Sequence, residues 1–237
     1  MGGTAQCGGN PGDLRLEVSI GMTRGGNSRF VLPLSMPPKH IGLTGSIGAG
    51  KSTVASLLAS KGIPVYVADD AAKRLMSESP SLQAAIEAAF GPGIYVDGVL
   101  QRKELAARAF GTPEATAEIN ALVHPAVHDD FVAWHHAQSS PYIIREAAIL
   151  FESGTFQTCD AIVLVEAPRD LRVQRVMARS GMNREEVEQR MARQWPDAKK
   201  RSFLREGDFL IENDGDEAHL THQVDVLHAE LLQRSQG

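Results

Sequence analysis

The chain has 237 residues, 43% hydrophobic and 22% charged, with a formal net charge of −5 at neutral pH. That balance is ordinary for a globular protein and gives no bulk attraction to nucleic acid or an anionic membrane. Two cysteines, Cys7 and Cys159, exclude a disulfide framework and a four-cysteine zinc site, and no run approaches the ~18 apolar residues of a membrane span. A cytoplasmic protein acting on small molecules is expected.

Residues 1–38 carry paired glycines and Pro11, Pro33, Pro37 and Pro38 without a sustained apolar period, which reads as a flexible N-terminal extension. Met36 lies just ahead of the first strand and is a candidate natural start. From Lys39 the pattern alternates. The apolar run Ile41–Thr44 predicts a strand, and a helix follows from Lys51 to about Ser60, stopped by Gly62. Residues 63–68 predict the second strand, ending at Asp69-Asp70. Helices are expected over Asp70–Ser77, Ser81–Phe90, Arg102–Phe110 and Pro113–Ala137, with only a weak strand signal at Ile94–Val96. About 60 residues with almost no strand signal inside an alternating chain predict a helical insertion, roughly 78–138. Strands return at Tyr142–Ile144 and Ala161–Val165, each ahead of a helix-compatible run. A last strand at Phe209–Ile211 and a last helix at Leu220–Leu232 close the chain. The expected fold is α/β, a doubly wound parallel sheet over residues 39–237.

Between the first strand and first helix lies Gly45-Ser46-Ile47-Gly48-Ala49-Gly50-Lys51-Ser52-Thr53, a match to G-x-x-x-x-G-K-[ST] at every defined position. Strand, glycine-rich loop and helix are the context this phosphate-binding loop requires. Backbone N–H groups from Gly48, Ala49, Gly50, Lys51, Ser52 and Thr53 would cradle a triphosphate at the positive end of the helix dipole. Lys51 would reach the β- and γ-phosphates, and Ser52 would offer its hydroxyl to Mg²⁺. ATP and Mg²⁺ are therefore expected.

Asp69 falls at the C-terminal end of the second strand, the edge where open parallel sheets bind ligands. It could orient a hydroxyl nucleophile or accept its proton; alternatively, Asp69 or Asp70 could cap the following helix. Glu146 and Glu152 follow the Tyr142 strand, where an acid near magnesium is expected. Eleven of the 24 lysines and arginines lie between Arg169 and Arg205, against five acids. Arg172, Arg175 and Arg179 share a helix face there, which suits a lid over about 169–206 that closes on phosphate. His124 and His128 stand four apart, but Pro125 and the lack of a glutamate spoil a zinc pattern.

No guanine-recognition run is present, so a small-molecule kinase is favoured over a GTPase. The ordered motifs then resemble the dephospho-CoA kinase family over about Lys39–Gln233. Thr44–Ser52 is similar to its T-G-G-I-G-S-G-K-S, and Gly62–Asp69 to its G-x-x-V-I-D-A-D, with Val67 in place of the first Asp. Leu100–Leu105 and His124-Pro125 resemble the L-x-R-x-x-L and H-P marks of its helical substrate domain. Leu150-Phe151-Glu152 resembles its L-L-F-E, with Ala147-Ala148 replacing the usual Pro-Leu. Asp208–Gly215 resembles its D-Y-V-I-x-N-x-G ending. The resemblance implies phosphorylation of the ribose 3′-hydroxyl of dephospho-CoA by ATP. It implies Lys51, Asp69, Arg175 and Arg179 in catalysis, and Asp69, Arg102, His124, Phe151 and Glu152 on the acceptor side. It also implies Ile211 and Asn213 beside adenine. Another small-molecule P-loop kinase and a non-enzymatic ATP-binding switch are the competing readings.

Overall fold

The computed structural model describes residues 37–235, so the expectations of a tail over 1–38 and a start near Met36 lie almost wholly outside the described residues. Five parallel strands form the sheet: β1 (Lys39–Thr44), β2 (Val65–Val67), β5 (Tyr142–Glu146), β6 (Ala161–Glu166) and β7 (Phe209–Glu212), in the order β2-β5-β1-β6-β7. Every residue of β5 is buried, as expected of a strand covered on both faces. Register sets Leu43 beside Glu146, and Glu146 beside Val67. The phosphate loop, Glu146 and the turn into Asp69 therefore leave the sheet at one edge.

One face of the sheet packs against α1 (Lys51–Ser60) and α9 (Glu217–Arg234). Leu43, Val54, Leu58, Ile144, Val163, Val224 and Leu231 meet in that core. The opposite face is covered by α2 (Ala68–Glu78), α3 (Pro80–Phe90), α4 (Arg102–Ala109) and α5 (Pro113–His136), which enclose a second core around Ile86, Ile94, Val127, Phe131 and Ile143. Fully burying Ile86 or Ile94 is worth roughly 2–3 kcal/mol each. Ser79 caps α3 ahead of Pro80, and Thr112 caps α5 ahead of Pro113; each proline occupies the first turn, where its missing N–H costs nothing. After β6, α6 (Arg169–Ser180) packs on α7 (Arg184–Ala192), which opens with an Asn183–Glu186 capping box, and α8 (Asp197–Arg201) leads back to β7.

Three expectations change. The Ile94–Val96 region is a two-stranded antiparallel hairpin, β3 (Tyr95–Val96) with β4 (Val99–Leu100). Its Asp97-Gly98 turn has positive φ at both residues, the Asp-Gly pairing that favours a two-residue hairpin loop. No α-helix lies between β5 and β6; turns and the short 3₁₀ segment Thr155–Thr158 make that connection. Helix α2 starts at Ala68 with Val67 at its N-cap and no side-chain cap bond, so neither Asp69 nor Asp70 is the cap. Both sit in the first helical turn, where the helix dipole favours negative charge.

Candidate active site

The glycine-rich loop takes its shape because Gly45, Gly48 and Gly50 stand where a side chain has no room. Gly50 is the N-cap of α1 at φ +101°, and a Cβ there would lie 2.1 Å from Asn213 Nδ2. Gly45, at φ +153°, would place a Cβ 2.2 Å from the Val165 carbonyl oxygen. Asn213 donates from Nδ2 to the Ala49 carbonyl at 2.9 Å and accepts at Oδ1 from Arg175 Nη2 at 2.9 Å. Its backbone N–H is held by the Glu166 carbonyl at 2.8 Å. One buried amide therefore joins the phosphate loop to the arginine helix.

Lys51 lies at the start of α1. Its Nζ donates to the Gly45 carbonyl at 2.9 Å and stands 3.9 Å from Glu146 Oε1. Burial pulls the Lys51 ammonium below the usual lysine range, opposed by the Glu146 charge. Burial pushes the Glu146 carboxyl up, opposed by Lys51 and reinforced by Asp69 and Asp70. Ser52 is exposed, and among the described residues its hydroxyl forms no hydrogen bond.

These groups open onto a cleft of about 750 Å³ lined by Gly48, Gly50, Lys51, Ser52, Thr53, Asp69, Glu146, Arg175, Arg179 and Arg190. A second cavity, about 330 Å³ with mainly apolar walls, lies under α2 and α5; Asp69, Lys73, Asn120, His124 and Arg145 interrupt its apolar lining. Asp69 and Lys73 border both spaces. The Asp69 carboxylate forms no hydrogen bond or ion pair among the described residues, whereas Asp70 accepts from Lys73 at 2.7 Å. An uncommitted carboxylate thus stands between a cationic phosphate cleft and a separate pocket.

The arginine-rich segment is tied to the loop at several points. Ile47 N–H donates to Gln194 Oε1 at 2.8 Å, and Gln194 Nε2 donates to the Ala148 carbonyl at 3.3 Å. Ser46 Oγ donates to Asp197 Oδ1 at 2.5 Å, while Arg172 donates to Asp197 Oδ2 at 2.6 Å and to the Ala167 carbonyl at 3.0 Å. Arg172 is therefore buried and structural, unlike its helix neighbours Arg175 and Arg179. Arg175 keeps one buried Nη1 without a hydrogen-bond partner, beside the cleft its side chain lines.

The structure brings Gly48–Thr53, Asp69, Arg175 and Arg179 around one cleft and places His124 on the adjoining cavity. Ala49 is buried with its carbonyl held by Asn213. Five expected site residues stand elsewhere. Arg102 is exposed at the start of α4 and lines neither space. Phe151 is a core ring packed against Phe156 and Phe203. Glu152 accepts the Trp195 N–H at 2.9 Å and pairs with the fully buried Lys200 at 3.3 Å, so it fastens the segment after α7 to the sheet. Ile211 belongs to the main core, and the Asn213 amide is committed to Ala49 and Arg175 rather than directed at a base. Lys73, Arg145 and Arg190 were not among the expected residues. An Arg-Glu pair ending the apolar run Tyr142–Ile144 was the available signal for Arg145, because a strand buried to its end must bury those charges as well.

A parallel sheet with this loop at its edge, and a cation-lined cleft opening on a free carboxylate, defines a P-loop phosphotransferase. The dephospho-CoA kinase family model matches residues 39–219. The dephospho-CoA kinase of Deinococcus radiodurans is 39% identical over 82% of this chain and 93% of its own length. That of Chlorobaculum tepidum is 39% identical over 82% and 96%. A crystal structure from Thermus thermophilus superposes with a TM-score of 0.73 at 37% identity, over 83% of this chain and 99% of that one. The chain belongs to the dephospho-CoA kinase family, and it is a kinase that transfers phosphate to a hydroxyl group.

Proposed function

We propose that the chain transfers the γ-phosphoryl group of ATP to the ribose 3′-hydroxyl of dephospho-CoA, giving coenzyme A. The observation that carries this reading is Asp69, a carboxylate without a partner among the described residues that borders both the phosphate cleft and the neighbouring cavity. ATP occupies the cleft, with its phosphates against the N–H groups of Gly48–Thr53. Lys51 spans the β- and γ-oxygens, already held in place by the Gly45 carbonyl and Glu146. The acceptor enters from the second cavity, and Asp69 orients its hydroxyl and takes its proton as the new P–O bond forms. Arg175 and Arg179, with Arg190 beside them, face the charge that spreads over the transferring group.

The donor set fits a hard cation. Ser52 and the Glu146 carboxylate offer oxygen ligands in the cleft, few enough that phosphates and water complete the shell, as Mg²⁺ prefers. When bound, Mg²⁺ would neutralise the β- and γ-oxygens. Helices α3–α5 serve as the acceptor-binding insertion, and residues 169–206 as the lid. His124 contributes to the acceptor wall; Arg102, Phe151 and Glu152 do not touch acceptor in this arrangement.

A coupled ADP-release assay with Mg-ATP, run with and without dephospho-CoA and with product mass measured, tests the reading. Acceptor-dependent ADP and one added phosphate on the 3′-hydroxyl are expected. ADP release indifferent to dephospho-CoA would overturn it.

A further inference from the structure

Arg145 is a buried charge of the second cavity that the proposed mechanism leaves unused. It is the fourth residue of β5, paired in register with Gly42 and Tyr66, and only 4% exposed. Its Nε and Nη1 are buried without a hydrogen-bond partner, and among the described residues it forms no ion pair. The guanidinium lies over the Phe131 ring, 4.4 Å from the centroid, and lines the inner wall of the cavity that also holds Asp69 and His124. Among the described residues no carboxylate pairs with it, Asp69 on the same cavity included. Asp130 is taken by Arg74 at 2.6 Å and by Tyr66 Oη at 2.7 Å, and Asp160 receives the His40 N–H at 2.7 Å. Burial pulls the Arg145 guanidinium below the usual arginine range, opposed only weakly by the neighbouring Cys159 and Tyr66, both neutral at ordinary pH.

A buried guanidinium with unsatisfied donors carries a large desolvation penalty, and a stacked ring offsets only part of it. The partner best suited to a planar fork of N–H donors is an anion with paired oxygens, above all phosphate. We propose that Arg145 is the acceptor-side anion anchor, donating from the cavity wall to phosphate oxygens of the incoming acceptor. This rests on the acceptor cavity assigned above and adds the group by which an anionic acceptor is recognised there. The anchor lies on a central strand, so the acceptor would be held by the same β5 that positions Glu146 beside Lys51.

The test is calorimetric titration with the phosphate cleft saturated by a non-hydrolysable ATP analogue, comparing wild type with Arg145→Met and Arg145→Lys. The probes are dephospho-CoA, inorganic pyrophosphate and adenosine. Arg145→Met should weaken dephospho-CoA and pyrophosphate about tenfold or more, with adenosine and the ATP analogue unchanged, and Arg145→Lys should fall between. In turnover, the acceptor KM should rise far more than kcat falls. The unliganded Arg145→Met protein should melt at or above the wild-type temperature, because it sheds an uncompensated charge. Equal losses for adenosine would make Arg145 a reader of the base and overturn the proposal. Unchanged binding of all probes, or a strongly lowered melting temperature, would make it a packing residue. Wild type that binds pyrophosphate through Arg145 but ignores dephospho-CoA would keep the anchor while removing the acceptor assignment.

Discussion

Replacing Asn213 by alanine isolates the brace between the phosphate loop and the arginine helix. Asn213 is 5% exposed, and its side chain makes two hydrogen bonds, one to the Ala49 carbonyl and one from Arg175, each 2.9 Å long. The substitution leaves the backbone bond to Glu166 intact but strands the Ala49 carbonyl and adds a second unpaired nitrogen to Arg175. A neutral buried hydrogen bond is worth about 1 kcal/mol and one to a charged group about 1.5–3 kcal/mol, so the loss should total roughly 3 kcal/mol. For a domain of this size each kcal/mol moves Tm by about 2–4 °C, giving an expected fall of about 6–12 °C in a thermal melt. Turnover should show a raised ATP KM, because the loop loses its fixed shape, while the ratio of ATP to GTP use stays constant. A Tm within about 2 °C of wild type would refute the brace. A changed nucleotide preference would instead return Asn213 to the adenine pocket.

The remaining predictions concern the cleft and its supports. Asp69→Asn should cut kcat by about 10²–10⁴-fold with little change in the ATP KM, measured by coupled ADP release; an unchanged kcat would remove it from the reaction. Lys51→Met should abolish most turnover while far-UV circular dichroism stays native, and near-wild-type turnover would contradict its contact with transferring phosphate. Glu152→Gln leaves the fully buried Lys200 ammonium without its carboxylate and should cost about 3–5 kcal/mol in urea unfolding, and Lys200→Met should cost less, since the Glu152 carboxylate it strands is partly exposed and keeps the Trp195 N–H; a loss below about 1 kcal/mol for Glu152→Gln would show the pair to be unimportant. Burial and the nearby Arg145 charge lower the His40 pKa to about 4, so the native ring stays neutral while the unfolded ring binds a proton near pH 6.5. Its contribution is flat above pH 6.5, and stability is lost as pH falls from 6.5 towards 4, by about 2 kcal/mol between pH 7 and 5. Unfolding curves for wild type and His40→Asn should differ in this slope, and parallel pH profiles would refute it.

Sequence and structure agree most closely where local physics decides. Helix α1 runs over Lys51–Ser60 as its apolar spacing and the Gly62 stop require, and the five parallel strands fall on the five apolar runs. The cleft was legible for the same reason: strand, loop and helix are contiguous, so Gly48 to Thr53 needed no tertiary information. Side chains whose duty is set across the fold were not legible. Phe151, Glu152, Ile211 and Asn213 stand in motif positions, yet each is committed to packing or to a partner distant in sequence: Glu152 to Lys200, Asn213 to Ala49. Arg102 lines neither space, and a helix start in an outlying segment says nothing about which cavity it faces. The Asp97-Gly98 hairpin was readable from its turn residues alone, but two-residue strands leave almost no alternation to find.

The placement of support residues also bears on how the cleft works. Ile47 is held by Gln194, Ser46 by Asp197 and Ala49 by Asn213, so the phosphate loop is fastened from two directions before any nucleotide arrives. Two of these three fasteners, Gln194 and Asp197, belong to the arginine-rich segment, and the third holds Arg175. A loop clamped in this way has little freedom left to lose on binding triphosphate, which lowers the entropic cost of binding. The same clamps fix the bases of the arginines while leaving the Arg179 side chain exposed and able to turn towards phosphate. On the proposed mechanism, preorganised loop and adaptable arginine tips would divide the work: the first would hold the ground state, and the second would meet charge that appears only as the phosphoryl group moves.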